Sequence, residues 1–175
     1  GENLTIGYDT YGEVENLFQD YCPLTTLNLD RELNYTLADG SIDTNSEGLF
    51  GGISTLTNVT LGDQVKTLHK FMFAGTGIKS INLNKVATIG NYAFYNNAAL
   101  ESVNLGNVTT IAKGAFEGVS KVTTLDIPAT VTSIADFAFK NCSKLATLNF
   151  LSGSSDLTIG YQPGSPDRGP FYQSP

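Results

Sequence analysis

The sequence predicts a repeat solenoid, mainly β, with short helical or 3₁₀ turns. Three observations predict it. An L-x-x-L-x-L segment recurs from Leu56, Ile78, Leu100, Val122 and Leu145, at steps of 22, 22, 22 and 23 residues. A V-x-x-I segment follows it, beginning at Val86, Val108 and Val131, with Val65 opening a rougher copy. An Ala-Phe pair then closes each unit, as Ala93-Phe94, Ala115-Phe116 and Ala138-Phe139. A period of this length, repeated in one register, is the mark of stacked coils.

Taken in order, the chain divides into irregular N-terminal units (1–55), regular repeats (56–151) and the start of a further irregular unit (152–175), all in a single solenoid domain. Leu4-Thr5-Ile6-Gly7-Tyr8 opens the first part and returns as Leu157-Thr158-Ile159-Gly160-Tyr161, and Phe18 is matched by Phe171 at the same offset of 153 residues. A longer repeat therefore overlies the short one. It predicts that the chain is a segment of a longer protein in which another L-x-x-L-x-L strand would follow. Leu24-Thr25-Thr26-Leu27-Asn28-Leu29 is the first strand of the regular type, and the next begins 32 residues later at Leu56. The additional length falls in 34–47, rich in Asp, Ser, Thr, Asn and Gly, a composition that predicts a surface loop or irregular hairpin.

From Leu56 onward each L-x-x-L-x-L segment is too short and too alternating for a helix and predicts a strand. V-x-x-I predicts a second short strand, and the Phe-containing link between them a single helical or 3₁₀ turn. Alanine before the Phe fits a turn that runs close to the sheet. Met72 takes that place in the rougher copy, where the link from Phe73 to Ile78 is also one residue short, so a local distortion is expected there. One coil has no opposing layer, so the apolar letters can be buried only as ladders running through the stack. The Phe ladder would run Phe18, Phe50, Phe73, Phe94, Phe116, Phe139, Phe171. Both ends of the stack are expected to be uncapped.

With 175 residues the chain is of single-domain size. Its net charge of −7 argues against nucleic acid, whose affinity rests on cationic side chains neutralising phosphates, and against anionic membrane surfaces. No apolar run is long enough to span a bilayer. Cys22 and Cys142 would lie about five coils apart, on the order of 25 Å at a strand spacing of ~4.8 Å. A disulfide needs Cα atoms within about 7 Å, so two free thiols are expected.

The pattern V-T-x-I-x-x-x-A-F-x-x-C-x-x-L-x-x-L-x-F at 131–150, with its copies upstream, resembles the BspA-like (Treponema-type) leucine-rich repeats. The resemblance covers nearly the whole chain. It implies a right-handed curved leucine-rich-repeat solenoid. It also implies a secreted or surface-anchored bacterial protein, with a host matrix protein, a bacterial surface protein or a glycan as partner. The family offers no shared catalytic residues to carry over. The chain departs from it in the 24–56 unit, at Met72, and at Gly114, where an aromatic is usual.

His69 is the only histidine, in the column of Gly90, Ala112 and Ala135, and reads as a structural or surface residue because catalysis or metal binding needs partners. Cys142 shares a column with Ile53, Thr76, Asn97 and Val119 and reads as a core thiol; Cys22, before Pro23, reads as a turn residue. Asp43-Thr44-Asn45-Ser46-Glu47-Gly48 imitates half of a calcium loop, but its twelfth place, which needs a bidentate Glu, is Ser54. Tyr8, Asp9, Tyr11, Glu13 and Glu15 form an acidic, aromatic loop without a rigid element to align two carboxylates as a glycosidase requires. No catalytic, metal or cofactor site is assigned.

The strand faces remain. Alternation turns Asn28, Thr60, Asn82, Asn104, Asp126 and Asn149 away from the core, with Thr26, Asn58, Ser80, Ser102, Thr124 and Thr147 beside them. They predict a small, polar, nearly uncharged sheet face. It reads either as a docking surface or as solvated strand residues, and it lacks the aromatic and Arg anchors usual at hot spots. The leading expectation is a non-catalytic extracellular binding module. The alternative is a spacer without a ligand of its own, and an enzyme is a remote third.

Overall fold

The computed structural model describes residues 4–5, 22–34, 48–153, 155–160 and 169–175. The strands in chain order are β1 (Leu4–Thr5), β2 (Thr26–Leu29), β3 (Leu33–Asn34), β4 (Asn58–Leu61), β5 (Thr67–Leu68), β6 (Ser80–Asn82), β7 (Thr88–Ile89), β8 (Ser102–Asn104), β9 (Thr110–Ile111), β10 (Thr124–Ile127), β11 (Ser133–Ile134), β12 (Thr147–Phe150) and β13 (Thr158–Ile159). Each regular coil contributes one front strand from L-x-x-L-x-L and one back strand from V-x-x-I. Every pairing among the described strands is parallel. The registers are those of the repeat: Thr26 pairs with Asn58, Ser80 with Ser102, Thr124 with Thr147, Ile89 with Ile111.

The two sides of the coil are bonded differently. From β5 onward the back strands form one continuous sheet in the order β13-β11-β9-β7-β5, while β3 pairs with β1 in a separate one. The front strands form three separate pairs, β2-β4, β6-β8 and β10-β12. At β4/β6 and at β8/β10 the neighbours lie side by side without a ladder.

Between the sheets lies one apolar core running the length of the stack. In β10 the alternation is complete, with Leu125 and Ile127 buried and Thr124 and Asp126 exposed. The Phe ladder is continuous from Phe50 to Phe171, with centroids 5.7, 5.8, 5.2, 5.5 and 5.4 Å apart and near-parallel rings. Phe18 lies outside the described residues. Ala93, Ala115 and Ala138 are fully buried beside the ladder, as their small size predicts. Cys22 and Cys142 are both free thiols.

The Phe-containing link is not the helical or 3₁₀ turn expected from sequence; no helix occurs among the described residues. It is a run of β-turns. In one coil Ala93 N–H bonds to Gly90 O and Tyr95 N–H to Tyr92 O, while the amides that alternate with them, Tyr92, Phe94 and Asn96, bond to the carbonyls of Lys113, Ala115 and Glu117 of the next coil. A helix would direct all these amides along its own axis. Here every second one is used to hold the stack together. The backbone device is a left-handed residue at each end of the link: Phe71, Tyr92, Gly114 and Phe137 two residues before the Phe, and Gly75, Asn96, Gly118 and Asn141 two after it, have φ between 53° and 78°. That interrupts helical progression, since such residues break a right-handed helix.

The expected distortion at the short link is present. In the regular link Leu100 N–H bonds back to Asn97 O. The shorter link has no matching turn at 76–77. The amide of Thr76 is instead taken by the side chain of Asn97 from the next coil, at 2.8 Å to Oδ1. Asn97 is wholly buried and its Nδ2 has no protein partner. Its presence inside an apolar ladder follows from the missing residue above it: an unpaired buried amide costs about 1–3 kcal/mol.

Candidate functional site

All six candidate residues of the front face, Asn28, Thr60, Asn82, Asn104, Asp126 and Asn149, are exposed, as are Thr26, Asn58, Ser80, Ser102, Thr124 and Thr147. Strand alternation and the parallel registers bring them into two straight columns, with Asn28 beside Thr60, Asn82 beside Asn104 and Asp126 beside Asn149. Part of their hydrogen-bonding capacity is already used. Asn82 Oδ1 accepts from the amide of Asn84, and Asn104 Oδ1 from that of Gly106, each at 3.0 Å, closing the turn after the strand. Asn149 Nδ2 donates to Asp126 Oδ1 at 2.8 Å. Lys121 and Glu101 form an exposed pair at 3.3 Å near the same face. The surface can offer amide and hydroxyl groups to a partner in rows spaced by one coil. No two carboxylates or nucleophile–base pair stand out on it.

The other candidates resolve as structural residues. His69 Nε2 lies 2.7 Å from the Leu33 carbonyl and 4.0 Å from Glu32. Glu32 itself accepts the amides of Lys66 and Thr67, at 2.6 and 3.1 Å. In the next coil the equivalent amides, Ala87 and Thr88, bond to a backbone carbonyl, that of Lys66. The Glu32 carboxylate thus stands where a backbone carbonyl stands in the next coil, and His69 holds the same junction. Sequence reading missed Glu32 because it has no counterpart in later copies.

Cys142 is buried, and its thiol donates to Phe116 O at 3.3 Å. A small apolar cavity lies against it, beneath Val103 and Leu125. Burial pushes the thiol up to about 12, outweighing the lowering from a hydrogen bond with the Val119 backbone, and the Glu117 charge raises it further. An unfolded thiol titrates near ~8.5. The folded state therefore holds its proton where the unfolded state loses it. The thiol's stabilising contribution is whole below about pH 8.5 and is lost as pH rises towards 12. Alkaline unfolding of the wild type and of Cys142→Ala should show this as a slope above about pH 9 present only in the former. At neutral pH, Cys22, which is half-buried, should alkylate well before Cys142. The calcium-like stretch 43–47 and the acidic loop 8–15 lie outside the described residues. Among the described residues no group of three or more His, Cys, Asp or Glu could hold a metal ion, and no helix is long and apolar enough to cross a membrane.

A second cluster went unread in the sequence. Phe71 and Tyr92 stack at 5.0 Å, with Tyr95 edge-on to both. Gly114 occupies the equivalent place in the next coil, and a Cβ there would stand 2.2 Å from the Tyr92 ring. The glycine thus makes room for the tyrosine. Burial, then Glu117, then Tyr95 raise the Tyr92 phenol above its ordinary value. Glu117 is paired with Lys140 at 2.9 Å. The signal that could have found this cluster is the aromatic two residues before Phe73, Phe94 and Phe139.

Comparison with known proteins agrees with this geometry. The BspA type leucine rich repeat region matches residues 14–146 in six copies. Among solved structures, a leucine-rich repeat protein from Bacteroides ovatus ATCC 8483 is similar with a TM-score of 0.53 at 22% sequence identity, covering 84% of this chain and 41% of that one. At that identity the likeness concerns the fold, and this chain spans less than half the length of that protein. No curated protein is significantly similar. Repeats of this kind are consistent with a non-catalytic module. With the solenoid described above and the family match over most of its length, the chain belongs to the BspA-type leucine-rich-repeat family.

Proposed function

We propose that this chain is a non-catalytic binding module of a bacterial surface protein, and that it engages a protein or glycan through the exposed face of β2, β4, β6, β8, β10 and β12. The observation that carries the reading is that face: twelve small polar side chains in two columns, all exposed. Family membership supports an extracellular or surface-anchored location and an adhesive role. The test is a screen of immobilised glycans and matrix proteins. Any ligand found is then re-measured against a variant carrying Thr60→Arg, Asn104→Arg and Asn149→Arg. These positions are exposed, so the variant should fold normally. Its affinity should fall at least about tenfold, or roughly 1.4 kcal/mol. Unchanged affinity would move the site elsewhere.

A second reading is favoured by one observation. Asn82, Asn104, Asp126 and Asn149 already spend hydrogen bonds on neighbouring turns or on each other. That is what a spacer's solvated face would do. A blank screen, together with a cell phenotype that follows the length of the array and ignores the triple substitution, would support this reading.

A further inference from the structure

We propose that the apolar cavity beside Cys142 is a binding site for a small hydrocarbon-like molecule, admitted by the parting of β8 from β10.

The cavity has a cause in the sequence. The first inward column of the front strands reads Leu24, Leu56, Ile78, Leu100, Val122, Leu145, and the second reads Leu27, Val59, Ile81, Val103, Leu125, Leu148. Val122 is the one short side chain of its column, Val103 is one of two in its own, and both line the cavity. Val119 and Cys142, in the column that begins with Ile53, line it as well and are also short. Short residues from successive coils thus meet at one place and leave a gap in a core that is otherwise close-packed. Every side chain of the lining is apolar apart from the Cys142 thiol, which is already bonded to the Phe116 carbonyl at 3.3 Å. At rest there is room for roughly one water molecule. A buried water needs about 2–4 polar partners, and the lining side chains supply none. Such a space stays dry, and an apolar guest gives its walls the contacts they lack.

The way in follows from the front sheet. Val103 of β8 and Leu125 of β10 both line the cavity, and they stand on opposite sides of a division that carries no ladder. Elsewhere paired amides tie one front strand to the next: Glu101 and Ser102 bond to Lys79 O, and Ala146 and Thr147 to Thr123 O. Among the described residues no such bonds run from Thr123 and Thr124 to Glu101. Lys121 and Glu101, paired at 3.3 Å, span the division at that end, and an exposed pair of this kind holds weakly. Val103 is half-buried, whereas Ile81 and Leu125 in the same column are each 4% exposed. The roof of the cavity is therefore a part of the front that can open without breaking a ladder.

The experiment is a titration of the full chain with benzene, followed by methyl NMR at Val103, Val122 and Leu125 and by melting temperature. Pyrazine, of like shape but with ring nitrogens that the lining cannot satisfy, is the polar control. Benzene should give saturable shifts centred on the cavity methyls and raise the melting temperature with concentration; pyrazine should do neither. Val122→Leu restores the residue usual in its column and fills the space. It should weaken benzene binding at least about tenfold while leaving circular dichroism unchanged, and Val103→Ile serves the same purpose should leucine at 122 disturb folding. Val59→Ile adds the same group away from the cavity and should bind as the wild type does. Entry is tested with Ser102→Cys combined with Thr124→Cys, both exposed and in one column: a disulfide there ties the division shut, so oxidation should slow benzene uptake and reduction restore it. Absence of saturable shifts in the wild type overturns the proposal. So do equal responses to benzene and pyrazine, undiminished affinity in the filled variants, or uptake indifferent to the tie.

Discussion

Phe94→Ala should lower the free energy of unfolding by about 3–5 kcal/mol. Phe94 is fully buried and stacks on Phe73 at 5.8 Å and on Phe116 at 5.2 Å, so its removal opens a void bounded by two other rings. A coil contacts only its neighbours, so the loss should be local in the first instance. Urea titration gives the magnitude. Hydrogen exchange should show protection falling first in the amides of Phe73, Phe94 and Phe116, which bond from coil to coil, to Ala93, Ala115 and Ala138 respectively. Phe171→Ala is the control. That ring is half-buried, and among the described residues it stacks on Phe139 alone, so its loss should cost clearly less. Equal costs at the two positions would contradict the ladder.

Gly77→Ala should be nearly as damaging, for a different reason. A Cβ at Gly77 would stand 2.2 Å from the Ser54 carbonyl oxygen and 3.3 Å from that of Leu56. Both are backbone atoms of the preceding coil, and neither can turn aside as a side-chain tip could. The close approach falls in the Phe73–Ile78 link, which is a residue shorter than its copies. Overpacking of this kind typically costs about 1–3 kcal/mol, occasionally more, and the backbone location places Gly77 at the upper end. Inserting one residue between Thr76 and Gly77 restores the usual spacing. In that background the alanine should cost much less, as a melting-temperature comparison of the four proteins would show. Asn97→Ala, which leaves the Thr76 amide without its acceptor, should cost about 1–3 kcal/mol.

Much of this architecture was legible before any coordinates. The strands, their registers, the Phe ladder, the buried column holding Cys142 and the outward columns of the front face all follow from letters recurring at 22 or 23 residues. A repeat turns single-sequence ambiguity into agreement among copies. The link was misread because a short Ala-Phe segment has no periodicity of its own. What decides it is where the amides bond, and that depends on the next coil. Asn97 and Glu32 were invisible for the opposite reason. Each answers a need found at one place in the stack, Asn97 the Thr76 amide and Glu32 the Lys66 and Thr67 amides, and so appears once. The front face was legible as a surface, but the letters of solvated strands and of a docking face are the same.

The unequal bonding of the two sheets bears on how the molecule deforms. From β5 to β13 its rear is a continuous ribbon of hydrogen bonds, stiff along the axis, while its front is divided into two-strand leaves at β4/β6 and β8/β10. Opening either division breaks no backbone ladder. Bending should therefore concentrate there, with the leaves splaying about the rear ribbon like the pages of a bound book. The distance between the rows of Asn and Thr on adjacent leaves is then adjustable in a way that the distance within a leaf is not.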